Sequence, residues 1–116
     1  MTYKVRLERR LPRPVEVPCD YGRLTRMRAT HVIVNASDQW SGSLLYVTVS
    51  GPGIRKDGST AKGDAYAYVS GAGAPERNVT QGMLGDDNWQ IVIETRAAVE
   101  AAMHAIVAVD AGGDES

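Results

Sequence analysis

The segment Gly53-Ile-Arg-Lys-Asp-Gly58-Ser59-Thr60 comes nearest to a motif with chemistry attached. It resembles the phosphate-cradling pattern G-x-x-x-x-G-K-[ST], in which a lysine neutralises the β- and γ-phosphates. Ser59 stands where that lysine belongs, and the residues that follow (Ala-Lys-Gly-Asp-Ala-Tyr-Ala-Tyr) alternate like a strand where the motif needs a helix. The segment reads as a basic hairpin tip carrying Arg55, Lys56 and Lys62. Metal chemistry is equally thin. His31, His104 and Cys19 are the only nitrogen and sulfur ligands of note, and they lack zinc spacing. Asp86-Asp87-Asn88 offers oxygens but not the spaced ligand set of a calcium loop. Glu100 and His104 stand four apart, as an ion pair on a helix would. No Gly-x-Ser-x-Gly nucleophile elbow occurs, and nothing beside Cys19 would lower its thiol pKa. The expectation is a protein without catalytic machinery, cofactor or metal.

Charge gives the next signal. Residues 1–35 hold eight basic groups against three acidic ones, a net of +5; residues 36–116 hold five against eleven, a net of −6. Such a split marks contact with an acidic protein or nucleic acid, or simply a solvated strand face. Lys4 and Arg6 point away from the apolar side of their strand, and Arg26 and Arg28 share a face of theirs. If the two strands are neighbours, these four cations form one patch. Trp40 and Trp89 sit at loop–strand junctions as Asp-Gln-Trp-Ser and Asp-Asn-Trp-Gln. Trp89 continues an apolar face and reads as core; Trp40 serves equally as core or contact residue. The candidate binding residues are therefore Lys4, Arg6, Arg26, Arg28, Trp40, Arg55 and Lys56.

The elements that must carry these residues follow from periodicity. Residues 2–9 alternate as a half-buried strand, with Tyr3, Val5 and Leu7 on one side. Pro12, Pro14 and Pro18 make 10–22 an extended crossing loop. Residues 23–35 form a long strand: Thr25, Met27, Ala29, His31 and Ile33 share one face, and Leu24, Arg26, Arg28, Thr30, Val32 and Val34 the other. That second face changes from basic to apolar halfway, so the far half should be buried on both sides. His31 reads as a core or rim histidine. The turn-rich Asn35–Gly42 is a loop. Leu44–Lys56 and Ser59–Ser70 flank Asp57-Gly58, a two-residue hairpin signal. Setting Lys56 opposite Ser59 places Val49 against Tyr66 and Val47 against Tyr68. Residues 71–88 read as loop with one helical turn near 75–81, and Trp89–Glu94 as a fifth strand. Thr95 caps a helix over 96–109, ended by Gly112-Gly113.

The predicted fold class is α+β: an antiparallel sheet of about five strands, in order β-β-β-β-β-α, with one C-terminal helix packed on it. Residues 1–111 form a single domain and 112–116 a frayed acidic tail. One helix covers one face of a sheet, and both faces are partly apolar, so a homodimer is expected. The chain has no apolar run of ~20 residues and no signal-like N-terminus, and its lone Cys19 cannot form an internal disulfide. A cytoplasmic protein without membrane contact is expected. Ten of thirteen basic residues are Arg, and Ala, Gly and Val abound; their GC-rich codons associate the chain with a GC-rich bacterium, a phage or another mobile element. The leading expectation is a small non-enzymatic binding protein acting through a protein–protein surface on an acidic partner. A nucleic-acid binder using the basic N-terminal strands is the alternative, and a small-molecule binder the third.

Overall fold

A computed structural model describes residues 4–40, 42–69 and 78–113, with the backbone alone at 38–40, 42–44 and 107–113. The predicted positions Tyr3, Ser70–Arg77 and Asp114–Ser116 lie outside the described residues. Four antiparallel strands, β1 (Lys4–Tyr21), β2 (Leu24–Trp40), β3 (Gly42–Ile54) and β4 (Thr60–Tyr68), form one sheet in the order β1-β2-β3-β4. A single helical turn, α1 (Gln81–Leu84), and a long helix, α2 (Asp86–Gly113), follow. The fold is α+β with an antiparallel sheet and a C-terminal helix. No helix among the described residues is long and apolar enough to cross a membrane.

The fifth strand is a correction. Trp89–Glu94 belongs to α2, so the sheet has four strands. Leu84, Asn88, Val92, Thr95 and Val99 are buried at helical spacing, whereas Ile93 is 47% exposed. Thr95 is accordingly no cap. It lies fully buried, and its hydroxyl donates to the Ile91 carbonyl at 2.6 Å. The helix begins ten residues before the expected start, and its last described residue is Gly113. Trp89 is half-buried against the core, from a helix rather than from the expected strand face shared with Ile91 and Ile93. Glu100 accepts from Arg96 at 3.0 Å rather than pairing with His104.

Two predicted loops are strand. The Pro-rich 10–22 segment continues β1, whose place at the sheet edge tolerates residues without an N–H. Pro12 and Pro14 fall inside the register shift between Arg10 and Val15, where ladder bonds are not required. Of the expected loop Asn35–Gly42, residues 35–40 belong to β2 and Gly42 to β3, with Trp40 paired to Gly42; Ser41 lies outside the described residues. The hairpin at Asp57-Gly58 is present, but its register differs. Arg55 donates to the Ser59 carbonyl and Gly58 N–H returns to the Arg55 carbonyl, leaving a three-residue loop closed by Gly58 at φ 87°. Asp57 Oδ1 accepts from both the Ser59 N–H and its hydroxyl, which holds this carboxyl below its ordinary range. A shift between Pro52 and Ile54 then sets Val49 against Ala67 and Thr48 against Tyr68.

The long strand β2 solves its mixed pattern with a bulge. Met27 pairs with Gly53 and His31 with Ser50, so β2 spends one residue more than β3 between these pairs. The bulge exchanges the two faces. Met27 and Ala29 therefore share the core with Val32, Val34 and Ala36. Past the bulge the strand is buried on both sides, since Ile33 on the other face is only 3% exposed. His31 is half-buried, with Nδ1 2.8 Å from the Thr30 hydroxyl. Helix α2 lies across β1 and β2, while the sheet curls until β1 comes against β4.

Candidate functional site

Period-two alternation places three rows of side chains on the sheet face turned away from the buried valines. Register aligns Tyr68, Thr48, Ile33 and Glu8 across the four strands; Tyr66, Ser50, His31 and Arg10 flank them on one side, and Tyr46, Asn35 and Arg6 on the other. Their sequence neighbours Val47, Val49, Ala65, Ala67, Val32 and Val34 are buried in the core. The tyrosines are thus fixed from below by the strands that carry them.

Curling adds a fourth ring. The end of β1 brings Tyr21 against Tyr66, with ring centroids 5.9 Å apart in an edge-to-face arrangement. Tyr46 and Tyr68 form a second tilted pair at 6.2 Å. Each such pair contributes about 0.5–1.5 kcal/mol beyond its burial. Together these residues line a groove of about 520 Å³, joined by Arg6, Cys19, Asp20, Asn35, Thr48 and Asn78. Tyr21, Tyr66 and Tyr68 are nevertheless 47%, 43% and 48% exposed. These three residues thus stay about half open to solvent.

The groove combines aromatic and polar groups. It presents apolar ring faces, tyrosine hydroxyls, two amides, one guanidinium and one carboxylate. Among the described residues no group of three or more His, Cys, Asp or Glu could hold a metal ion. Cys19 is 1% exposed and its thiol lies 3.7 Å from the Leu24 carbonyl. Burial pushes its pKa up, opposed by the Tyr21 backbone N–H and reinforced by Asp20. The thiol is therefore held protonated at neutral pH, and an uncharged thiol is a poor nucleophile. Native protein should react with a maleimide or disulfide reagent far more slowly than denatured protein. Equal rates in the two states would show that Cys19 is not enclosed as described.

The predicted binding residues fall in three places. Arg6 lines the groove, and Lys4 precedes it by two positions on the same strand. These two pair with Asn35 and Ser37, whereas Arg26 and Arg28 pair with Pro18 and Glu16, seven to eleven positions away along β2. The register thus separates the four cations into two pairs. Arg26 makes an ion pair with Glu16. Arg55 and Lys56 are exposed at the β3–β4 turn, on the Arg26 side of the molecule. Trp40 ends β2, and its side chain lies outside the described residues. The tyrosines themselves escaped sequence reasoning as a site. The available signal was Tyr46, Tyr66 and Tyr68 on one hairpin face; Tyr21 joins only through the curl.

Asp86-Asp87-Asn88 opens α2 instead of forming a loop. Asp87 accepts from Arg13 Nη2 at 2.8 Å, which lowers its pKa, and Asn88 is buried. No protein-family model, curated protein or solved structure matches the chain, so the reading of the groove rests on its own residues.

Proposed function

We propose that this is a non-enzymatic binding protein whose recognition surface is the tyrosine groove, and that the groove receives an extended segment of a partner protein. The observation that carries this reading is the convergence of four tyrosines, three of them near half exposure, on one ~520 Å³ concavity. Tyrosine offers a large, stiff contact area with only two side-chain torsions to freeze, and it is enriched among interface hot spots. Lys4 and Arg6 on the β1 border suit a segment carrying a carboxylate at that end.

A selection of displayed random peptides on the purified protein tests the reading. Binders should combine an apolar or aromatic residue with an acidic one. Tyr66→Ala and Tyr68→Ala should each weaken them about tenfold or more, in the range of a hot-spot truncation. Peptides that bind both variants as well as wild type would place recognition elsewhere. A second copy of the chain is the other protein occupant. A dimer in light scattering, lost on Tyr66→Ala, would assign the groove to self-association.

The groove volume supports a second reading, since pockets for small molecules span roughly 300–1,000 Å³. A thermal-shift screen distinguishes it. A compound that stabilises wild type but not Tyr66→Ala would make the groove a small-molecule site.

A further inference from the structure

Two of the hairpin turns of the sheet, β1–β2 and β3–β4, lie side by side. Met27 pairs with Gly53, and Leu24 sits so close to Gly53 that an added Cβ there would come within 2.3 Å of Leu24 Cδ1. This contact brings the β1–β2 turn, with Arg23, and the start of β2, with Arg26, beside the β3–β4 turn, with Arg55 and Lys56. The four cations surround an open depression of about 290 Å³ whose only acidic lining residue is Glu16. Glu16 is engaged by Arg26. The other nearby carboxylate, Asp57, accepts two hydrogen bonds from Ser59 inside its own turn and stays ionised in the field of Arg55, so four cations face two carboxylates and the cluster keeps a positive excess. Arg23, Arg55 and Lys56 make no ion pair among the described residues. Arg26 and Arg55 stand 29 positions apart in sequence, so only the fold creates this cluster.

We infer that this end of the sheet binds the phosphodiester backbone of a nucleic acid. All four cations are exposed. An enclosed site for a single phosphate would bury at least one of its charged donors. A notch between two projecting turns, rimmed by solvated cations, suits the diffuse contact in which backbone phosphates release counterions. Three of the four are arginines, whose planar fork can hold two phosphate oxygens at once. The surface is distinct from the tyrosine groove, and the inference does not depend on what the groove binds.

Fluorescence anisotropy with a labelled 20-base-pair DNA duplex of mixed sequence tests it. Binding should saturate within the roughly 1–100 µM range of sequence-independent contact, and log affinity should fall with log salt at a slope of about −2.7 for three phosphate contacts. Arg55→Glu with Lys56→Glu should weaken binding at least tenfold and remove about two units of that slope. Arg23→Glu, on the neighbouring turn, should weaken it independently. Tyr66→Ala should leave it unchanged. Four results would overturn the inference: no binding across that range; undiminished binding by the turn variants; an equal loss from Lys4→Glu with Arg6→Glu; or equally tight binding of a polyglutamate peptide.

Discussion

Gly51→Ala is expected to be the most damaging small substitution in this protein, at about 3 kcal/mol or more. An ideal Cβ on Gly51 would sit 1.8 Å from the Arg28 carbonyl oxygen, 2.9 Å from its carbonyl carbon and 3.1 Å from the Thr30 nitrogen. All three are backbone atoms, so no side chain can swing aside. The contact arises because β2 bulges opposite Gly51, between the Met27 and His31 pairings. Relief would require β2 and β3 to part where the bulge places Met27 and Ala29, both fully buried, in the core. Overpacking typically costs 1–3 kcal/mol, and here the obstacle is rigid, which puts the estimate at the upper end. A urea melt should show a much lower midpoint, with a thermal transition lowered by about 10–20 °C. Gly58→Ala is the comparison. Its φ of 87° strains any side chain, but nothing lies within 4 Å of the added carbon, so the cost should be about 1–2 kcal/mol. Should Gly51→Ala prove no worse than Gly58→Ala, the Arg28 carbonyl does not press on Gly51.

The same bulge shows what the sequence made legible. Apolar residues in β2 occupy odd positions at Met27 and Ala29 and even positions from Val32 to Ala36. Read as a regular strand, that pattern implied only a stretch buried on both faces. Its slip of one residue is the signature of the bulge that puts them all on one side. The antiparallel hairpin and the C-terminal helix followed from turn chemistry and apolar content. The start of the helix did not. Its buried stripe passes through Asn88 and Thr95, and polar residues at core positions break the apolar period, leaving Trp89, Ile91 and Ile93 to mimic a strand. Register failed because Asp57-Gly58 closes a three-residue loop rather than a two-residue one, and a second shift between Pro52 and Ile54 then moves the pairing the other way. Of the candidate sites, the residues of the basic hairpin tip were visible, but their joining with Arg23 and Arg26 was not. The groove was legible only as alternating tyrosines, because Tyr21 meets Tyr66 through a curl between elements distant in sequence.

Asn88→Ala should be the second large loss, about 2–4 kcal/mol, although it removes a polar side chain from a helix. Asn88 is 1% exposed, and its amide bridges the start of α2 to the irregular part of β1. Its Oδ1 accepts from the Arg13 backbone N–H at 3.1 Å, and its Nδ2 donates to the Arg13 carbonyl and the Leu84 carbonyl, each at 2.9 Å. The neighbours of Arg13 are Pro12 and Pro14, which have no N–H. Arg13 therefore supplies the one backbone donor of this three-residue stretch, and Asn88 satisfies it. Alanine would leave an N–H and two carbonyls without this partner, at about 1–3 kcal/mol for each group left buried and unsatisfied, less where water enters. Asn88→Asp should be no better, since it keeps the acceptor but turns an oxygen toward two carbonyls. The adjacent residue provides an internal standard. Asp87 joins the same two elements by an ion pair to the Arg13 side chain at 2.8 Å, but those side chains are 51% and 66% exposed. Water screens a pair this exposed, so Asp87→Ala should barely move the melt. Losses of equal size at 87 and 88 would mean that charge, rather than the buried amide, docks α2 onto β1.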